Sequence, residues 1–568
     1  MKIWSLARWV YGIDLHNRWV DTAFGAAAGA LELVPECSAA TVLLGVTTDR
    51  SFSPDDVMSG TDPFADAVQA TAERLGLAEG ELVVTQFSWL STERRDLHAV
   101  ARDNADFAAQ GCVVLRGGRT DIRTVVHALR EAWSDALDRA LRFPQEGPMK
   151  ILILHRVPYF KIEYYRGISH DRHEVTYFGT DQALATLPPH LRCERVSRPG
   201  LRSAFEEARD WLAHRPRDFD RVISVSEYEL LDAALLREYL GVPGAPANQV
   251  ALARDKVLMK QVVEDAGLRV PRFLALPRFL KLDGRVPWYG RTVLKPHRGA
   301  SSEDVLVFDT PLQAAASITE GRTGISRLDT GSDLADFEVE EFVSGPIRHF
   351  DGLVQGGEVL VLSASEYVGT CLQYAQGRPL GSFQLALSEE DRAWVSRALA
   401  AVRVEDGSFH LEAIAHRGEL VFLEVGNRVG EADVVATIEL ATGVHLPSYE
   451  LRALLGERLT GTLPEPPADR RRYGWFVYPG HHLAGREFQG LDGAAAFRDD
   501  PSVVAWNELP PGSPLPDHIT YQAGETVLAG IVASDTPEGG RRWITDLFAS
   551  LLVRTRPAAL TTSEQVPA

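Results

Sequence analysis

Two glutamates, Glu412 and Glu424, stand in apolar runs, FHLEAI and LVFLEVGN, on either side of an Arg417-Gly418 turn. This pattern predicts a hairpin whose strands bring the two carboxylates together. Adjacent buried carboxylates are unfavourable unless a cation lies between them, and oxygen ligands of this kind suit Mg²⁺ or Mn²⁺. The alternative is an ordinary hairpin on which both acids form surface salt bridges.

A lysine-bearing helix precedes the hairpin in the sequence. Residues 251–273 predict this helix, with Lys256 near its start and Gly267 as its C-terminal cap. One apolar stripe is expected to consist of Leu258, Val262 and Ala266. Taken alone, Lys256 has the pattern of a solvated residue.

A small-residue loop follows. Residues 291–309 predict a strand, a turn and a second strand, and Lys295 ends the first strand. The loop after it is made of small or polar residues: Arg298, Gly299, Ala300, Ser301 and Ser302. Exposed backbone N–H groups, hydroxyls and a cation are the groups that a triphosphate requires. The loop does not have the GxxxxGK[ST] pattern.

A further strand, within residues 337–354, connects the loop to the hairpin. We expect it to expose a polar backbone edge near residues 340–343 and to end at the Ser344-Gly345-Pro346 turn. His349 and Asp351 follow this turn.

Composition limits the class of protein. The chain has 568 residues, 45% hydrophobic and 24% charged, as in a soluble globular protein of several domains. A net charge of −19 without a basic run is untypical of nucleic-acid binders, although it permits a local basic cleft. Only seven of the 59 basic residues are lysines, and four of them lie between residues 256 and 295. Arginine does not replace lysine where a compact ammonium group must fit, so this cluster favours a functional region, with chance clustering as the alternative.

Cysteine usage and hydropathy predict a cytoplasmic protein. The four cysteines, Cys37, Cys112, Cys193 and Cys371, form no CxxC pair, which indicates reduced thiols and no structural zinc. The N-terminal sequence does not have the pattern of a signal peptide, and no run has the ~18 apolar residues of a membrane span.

Two α/β regions flank a Pro/Gly linker at residues 143–148. The first region alternates strand-like and helix-like runs, with strands at 41–48, 81–87 and 112–118 and helices at 63–77, 96–110 and 121–142. The second is expected to form a doubly wound sheet, with strands at 150–155, 174–178 and 221–226 and helices near 201–214 and 228–240. Ligands of such sheets bind beyond the carboxyl ends of the strands.

The order of these motifs over residues 149–555 resembles the ATP-grasp superfamily, in particular carboxylate–amine ligases of the L-amino acid ligase and carnosine synthase type. The resemblance implies an α/β ATP-grasp fold, composed of a doubly wound pre-ATP-grasp domain, a small lid domain and a large α+β domain, preceded by a separate α/β domain. The implied domains are 1–147, of unknown function, 149–250 (pre-ATP-grasp), 251–465 (ATP-grasp, with the lid at about 275–343), 466–556 (C-terminal subdomain) and 557–568 (flexible tail).

The resemblance also implies residue roles. Lys256 and Lys295 would contact the nucleotide phosphates under the 298–302 loop, with Lys295 and Arg428 as catalytic residues. Glu340 would take the adenine amino group. The adenine edge would pair with Glu341, Phe342 and Val343, and His349 would add a cofactor contact. Arg428 would hold the substrate carboxylate or acyl phosphate, and Glu412 and Glu424 would bind the metal.

One departure concerns the metal ligands. Relatives often have Glu-x-Asn-x-Arg, whereas this chain has Glu424-Val425-Gly426-Asn427-Arg428. A shift of one residue along a strand turns the amide of Asn427 to the opposite face. Asn427 is retained as a candidate third ligand, with water as the alternative. Gly430-Glu431 replaces a pair of glycines.

The implied function is an ADP-forming ligase in specialised metabolism that joins small-molecule carboxylates and amines, uses ATP and Mg²⁺ or Mn²⁺, and binds neither nucleic acid nor membrane. Homodimer formation is left open. Two alternatives remain. One is another carboxylate activation on the same fold, as in biotin carboxylases or purine synthesis, and the other is a non-catalytic ATP-binding regulatory module.

Overall fold

The protein is described from a computed structural model. It describes residues 37–46, 50–52, 54, 57, 62–91, 95–97, 101, 106–116, 120–141, 148–299, 303–467 and 471–558. The chain divides into two compact units, Met1–Gly147 and Pro148–Ala568. None of the helices in these described ranges is long and apolar enough to cross a membrane.

The first unit contains an antiparallel sheet with strand order β1-β5-β3 and a separate pair of short strands, β2 and β4. The strands are β1 (Ser38–Leu44), β2 (Arg50–Phe52), β3 (Leu82–Trp89), β4 (Arg95–Leu97) and β5 (Ala109–Leu115). Its helices are α1 (Pro63–Arg74) and α2 (Ile122–Leu141). Phe64 and Trp133 from these helices pack in one buried cluster.

The helix expected at 96–110 is wrong. Its described residues include strand β4 and the first residues of β5. β5 is the central strand of its sheet, and an added Cβ at Gly111 would lie 2.2 Å from the Phe64 ring. Pairing with two neighbouring strands therefore overrides the helix propensity of the local sequence.

The second unit begins with a parallel sheet of strand order β8-β7-β6-β9. The strands are β6 (Lys150–His155), β7 (Glu174–Gly179), β8 (Glu194–Ser197) and β9 (Arg221–Ile223). The helices of this region are α3 (Tyr159–Ile162), α4 (Asp181–Leu184), α5 (Ala204–His214), α6 (Leu230–Leu240) and α7 (Ala247–Leu252). The sheet confirms the expected doubly wound region, although β8 was not predicted.

Helix α8 (Lys256–Asp265) begins where the Asp255 side chain accepts the N–H groups of Val257 and Leu258. Gly267, with φ +74°, follows its end as predicted. The predicted apolar stripe is wrong, because Leu258 is 41% exposed and the buried residues are Met259, Lys260 and Val263. The face of α8 that carries Met259 and Val263 is buried because these residues pack with Val425 of the neighbouring hairpin in one cluster.

A four-stranded antiparallel sheet of order β10-β13-β11-β12 covers most of the expected lid. Its strands are β10 (Phe273–Ala275), β11 (Thr292–Pro296), β12 (Leu306–Phe308) and β13 (Phe337–Glu341). Helices α9 (Leu276–Lys281), α10 (Pro311–Thr319) and α11 (Ser326–Asp329) belong to the same region.

An eight-stranded sheet of order β18-β17-β14-β15-β16-β19-β22-β21 carries most of the site. Its strands are β14 (Ile347–Gln355), β15 (Glu358–Val368), β16 (Leu380–Gln384), β17 (Gly407–His416), β18 (Glu419–Gly426), β19 (Arg472–Tyr478), β21 (Val503–Glu508) and β22 (Leu528–Ser534). Strands β20 (Arg486–Asp492) and β23 (Leu552–Pro557) pair separately. The remaining helices are α12 (Cys371–Ala375), α13 (Glu389–Ala401), α14 (Val434–Thr442), α15 (Leu446–Leu454), α16 (Ala495–Arg498) and α17 (Pro537–Ser550).

The expected C-terminal subdomain, 466–556, therefore contributes strands β19, β21 and β22 to the large sheet. Of the expected tail, residue 557 ends strand β23, the N–H of Ala558 bonds to the Gly485 carbonyl, and residues 559–568 lie outside the described residues.

Close packing of β14 against its neighbours gives a test of this sheet. A Cβ added at Gly352 would lie 1.9 Å from the Val361 carbonyl oxygen and 2.8 Å from the Phe409 ring. We expect Gly352→Ala to destabilise the second unit by about 1–3 kcal/mol through overpacking. Gly540→Ala is the control, because its nearest contacts would be an ordinary 3.5 Å. Urea unfolding measures the stability of both variants. Equal unfolding midpoints for Gly352→Ala and Gly540→Ala would contradict the described packing.

Candidate active site

A hairpin brings Glu412 and Glu424 together, as predicted. Arg417 and Gly418 both have positive φ, +53° and +84°, which matches a tight two-residue turn. The two glutamates are cross-strand partners.

A bulge in β18 decides this pairing. Ala413 pairs with Phe422 and Glu412 pairs with Glu424, so Leu423 is the extra residue. In a regular hairpin Glu412 would face Leu423, and Glu424 would project from the opposite face of the sheet. The bulge therefore places both carboxylates on one face.

Lys256 neutralises Glu424. Its Nζ lies 3.0 Å from Glu424 Oε2 and donates to the Gly299 carbonyl at 3.0 Å. Burial raises the pKa of Glu424, but the charges of Lys256 and Lys295 outweigh it and lower the pKa to about 2. Glu424 is therefore ionised at neutral pH.

Glu412 is held by a buried hydrogen-bond chain. The Tyr367 hydroxyl donates to Glu412 Oε1 at 2.8 Å, and His410 Nε2 lies 3.4 Å from the same oxygen. His410 Nδ1 is 2.7 Å from Asp351 Oδ1, and His349 Nδ1 is 2.5 Å from Asp351 Oδ2. Burial alone would lower the pKa of His410, but Asp351 and Glu412 raise it to about 10. These contacts fix the orientation of Glu412.

The expected nucleotide contact of His349 is not supported by this placement. The side chain is 1% exposed, and its Nε2 lies 2.6 Å from the Ser382 hydroxyl. His349, Asp351 and His410 are close enough to hold a metal ion, but their facing atoms already hydrogen-bond to one another. We interpret the three as a hydrogen-bonded support behind Glu412.

Two lysines and two glutamates form a buried quartet between α8 and the four-stranded sheet. Lys260 Nζ lies 2.7 Å from Glu338 Oε2 and 2.5 Å from Glu340 Oε2, and Lys295 Nζ lies 2.8 Å from Glu340 Oε1. Lys260 and Glu338 are both 0% exposed. The pairing is reciprocal, because each charge would be unfavourable in this environment without the others.

Two members of the quartet, Lys295 and Glu340, have shifted pKa values. Burial alone would lower the pKa of Lys295, but Glu340 and Glu338 raise it above its usual value. Burial raises the pKa of Glu340, whereas Lys260 and Lys295 lower it by more. Lys295 and Glu340 are therefore both charged at neutral pH. The expected contact of Glu340 with adenine stays a prediction. Both carboxylate oxygens of Glu340 are ion-paired, one with Lys260 and the other with Lys295.

The expected adenine edge is shorter than predicted. Strand β13 ends at Glu341, so Phe342 and Val343 follow it. The N–H groups of Glu341 and Phe342 donate to the carbonyls of Arg272 and Arg291. The sheet thus uses two of the backbone groups that the sequence assigned to the nucleotide, because β13 lies between two neighbouring strands.

The described part of the phosphate loop lies beside helix α8. Arg298 is a largely exposed side chain whose Nη2 is 4.0 Å from Asp255 Oδ2. The carbonyl oxygen of Gly299 accepts a hydrogen bond from the Lys256 ammonium group. The predicted loop residues Ala300, Ser301 and Ser302 lie outside the described residues.

Arg428 and Asn427 point to different partners. Arg428 Nε donates to Glu227 Oε2 at 3.0 Å. The Asn427 amide donates to the carbonyls of Asp406 and Ser408, at 3.2 and 2.8 Å. These contacts use the amide nitrogen and orient the side chain by backbone carbonyls, and the expected role of Asn427 as a metal ligand stays a prediction.

Several residues of the site were missed by sequence reasoning. Lys260 was visible only as one of the clustered lysines, and Glu227 only as an acid just beyond a predicted strand of the parallel sheet. The missed set is Glu227, Arg254, Lys260, Glu338, Tyr367 and His410.

Comparisons with known proteins agree with this architecture. No protein-family model matches the chain. Over 238 residues it is 26% identical to the L-arginine-specific L-amino acid ligase of Bacillus subtilis, which covers 40% of this chain and 56% of that relative. The chain thus matches little more than half the length of the relative.

Two solved structures superpose on about seven-tenths of the chain. The L-amino acid ligase of Bacillus licheniformis superposes with a TM-score of 0.54 and 20% identity, covering 72% of this chain and 99% of that one. The chain has the ATP-grasp fold. A second ATP-grasp structure, N5-carboxyaminoimidazole synthetase from Staphylococcus aureus complexed with ADP, has a TM-score of 0.50 and 13% identity, covering 72% and 98%. The fold class and the resemblance predicted from the sequence are thereby confirmed.

Two lysines for which the sequence suggested no role provide a matched test of the quartet. Lys260→Ala removes the ammonium group between Glu338 and Glu340, and we expect a loss of about 3–5 kcal/mol of stability because uncompensated buried charge remains. Lys281→Ala, on an exposed position at the end of α9, should change the free energy of unfolding by less than about 0.5 kcal/mol. Similar urea midpoints for the two variants would refute the buried quartet.

Proposed function

We propose that the chain is an ATP-dependent, ADP-forming ligase that joins a carboxylate to an amine. The observation that carries this proposal is the Lys256–Glu424 pair at the bulged hairpin, with Glu412 as its partner and Arg428 just beyond it. A cation next to paired carboxylates suits phosphoryl transfer. The ATP-grasp fold supports ATP as the nucleotide, and one fold relative is an ADP complex.

The proposed reaction has two steps. A carboxylate oxygen of the first substrate attacks the γ-phosphorus of ATP, the bond from that phosphorus to the β-γ bridging oxygen breaks, and ADP leaves. The amine nitrogen of the second substrate then attacks the acyl carbon of the acyl phosphate. The bond between that carbon and the phosphate oxygen breaks, phosphate leaves, and the nitrogen loses a proton. The first step forms one bond and breaks one bond, the second also passes the amine proton to the leaving phosphate or to solvent, and neither requires a nucleophile from the protein.

The residues of the chain act by position and charge. Lys256 and Lys295 supply ammonium groups for the phosphates, and Arg428 supplies a guanidinium group for the substrate carboxylate or the acyl phosphate. Aligned reactants in a cleft of fixed charges account for catalysis without covalent participation of a side chain.

Glu412 and Glu424 fit Mg²⁺, with Mn²⁺ as the alternative. Both are carboxylates that face each other across the hairpin, and Glu424 is ionised beside a lysine that a divalent cation could replace as counter-ion. A bound divalent cation supplies neutralisation of phosphate charge. Asn427 is left out of this proposed ligand set.

The curated relative directs the choice of substrates. Because that protein is named for L-arginine, basic L-amino acids belong in the first panel of carboxylates, with L-amino acids as amines. We retain specialised metabolism as the setting, since the first unit adds a separate domain to the proposed ligase.

The two alternatives make different predictions. Carboxylate activation of the biotin-carboxylase or purine-synthesis kind predicts ADP release that depends on bicarbonate or phosphoribosylamine. A non-catalytic ATP-binding module predicts nucleotide binding without turnover. The complete set of charged residues at the hairpin supports turnover over simple binding.

Product analysis tests the proposal. We expect ADP and phosphate to appear in equal amounts when the purified chain receives MgATP, a carboxylate from the basic amino-acid panel and an amine. A coupled assay measures the released ADP, and mass spectrometry detects the amide product. AMP as the nucleotide product, or release that requires bicarbonate and no amine, would contradict the proposed ligase.

Substitution on one strand tests the metal assignment. Glu424→Gln should lower kcat/KM by about 10²–10³-fold, because the charge that binds the cation is lost. Glu419→Gln is the control, since this exposed acid on the same strand pairs only with Arg269 in the described contacts. We expect Glu419→Gln to retain activity within about twofold. Retention of activity by Glu424→Gln would remove it from the site.

A further inference from the structure

Glu227 reaches the hairpin from the parallel sheet. It lies just beyond β9, at the carboxyl edge of the sheet, where ligands of doubly wound folds bind. Its side chain is 12% exposed. The residue thus joins the pre-ATP-grasp sheet to the site on the large sheet, both within the second unit.

Glu227 is bound by two arginines. Its Oε2 accepts from Arg428 Nε at 3.0 Å, and its Oε1 pairs with Arg254. Burial, together with the charge of Arg428, lowers the pKa of Arg254 to about 10, so Arg254 remains charged at neutral pH. One carboxylate therefore fixes two neighbouring guanidinium groups that would otherwise repel each other.

The contact with Glu227 fixes which side of Arg428 is available. Nε is used by Glu227, and Nη1 donates to the Val429 carbonyl at 2.7 Å. Nη2 has only the Glu431 carboxylate at 3.9 Å among the ion pairs of the described residues. A guanidinium group held at Nε and Nη1 has its orientation set before a ligand binds.

Gly426 leaves room for this arrangement. A Cβ added at Gly426 would lie 2.9 Å from Glu227 Oε2 and 3.4 Å from Arg428 Cγ. A side chain at this position would therefore displace the Glu227 carboxylate or the arginine. The Glu227 carboxylate can therefore occupy its position only because residue 426 has no side chain.

We propose that Glu227 is a positioning residue that orients Arg428 toward the substrate carboxylate or acyl phosphate, and that Gly426 is required because the Glu227 carboxylate occupies the space beside it. The inference rests on the proposed ligase function for the role of Arg428. The contact between Glu227, Gly426 and Arg428 is independent of that function.

Steady-state kinetics test the positioning role of Glu227. Glu227→Gln keeps the shape of the side chain and removes its charge, and we expect the KM for the carboxylate substrate to rise about tenfold while the KM for ATP stays within about twofold. Glu264→Gln, an exposed acid on α8, is the control and should leave both constants unchanged. An unchanged carboxylate KM, or an equal rise of both KM values, would overturn the positioning role.

Stability tests the contact without any turnover. Gly426→Ala and Glu227→Ala are compared singly and together by urea unfolding. We expect Gly426→Ala to be destabilising alone and to cost much less in the Glu227→Ala background, since the obstructing carboxylate is then absent. An equal cost in both backgrounds would overturn the steric part of the inference. If the wild-type chain releases no ADP with any substrate pair, the proposed function fails while this cycle still measures the contact.

Discussion

Carboxylates that are buried or partly buried need a cation nearby, and this requirement organises the second unit of the protein. Glu338 and Glu340 meet Lys260 and Lys295, Glu424 meets Lys256, and Glu227 meets two arginines. Removing one partner of such a pair leaves a charge whose desolvation is not compensated, so the pairs depend on each other. These ion pairs hold four elements of the second unit together: helix α8, the four-stranded sheet, the hairpin and the parallel sheet.

The same pairs explain the distribution of lysines. Lys256, Lys260 and Lys295 all have side chains that are less than 15% exposed and that end on carboxylates. Their compact ammonium groups fit sites where a planar guanidinium group would need more room. The arginines at the site, Arg254 and Arg428, instead share the two oxygens of one carboxylate.

Further buried residues hold the charged groups of the candidate site in place. Glu412 is oriented by Tyr367 and His410, which is oriented in turn by Asp351, and Arg428 is oriented by Glu227. Such second contacts reduce the number of positions that each charged group can adopt before substrates arrive. The site is therefore built with its geometry largely set by the protein.

The sequence by itself determined the ATP-grasp fold expected from its motif order, the hairpin that carries Glu412 and Glu424, and the cluster of lysines between residues 256 and 295. The hairpin follows from local periodicity and turn residues, and the fold follows from the resemblance of the ordered motifs to the ATP-grasp superfamily; both are carried by the chain without reference to distant contacts. Only the tertiary structure decided which face of α8 is buried, that Lys260 belongs to a charged quartet, that Leu423 forms a bulge, and that His349 lies behind the site. Each of these depends on side chains that lie far apart in sequence, and a displacement of one residue in a strand or helix exchanges a buried face for an exposed one.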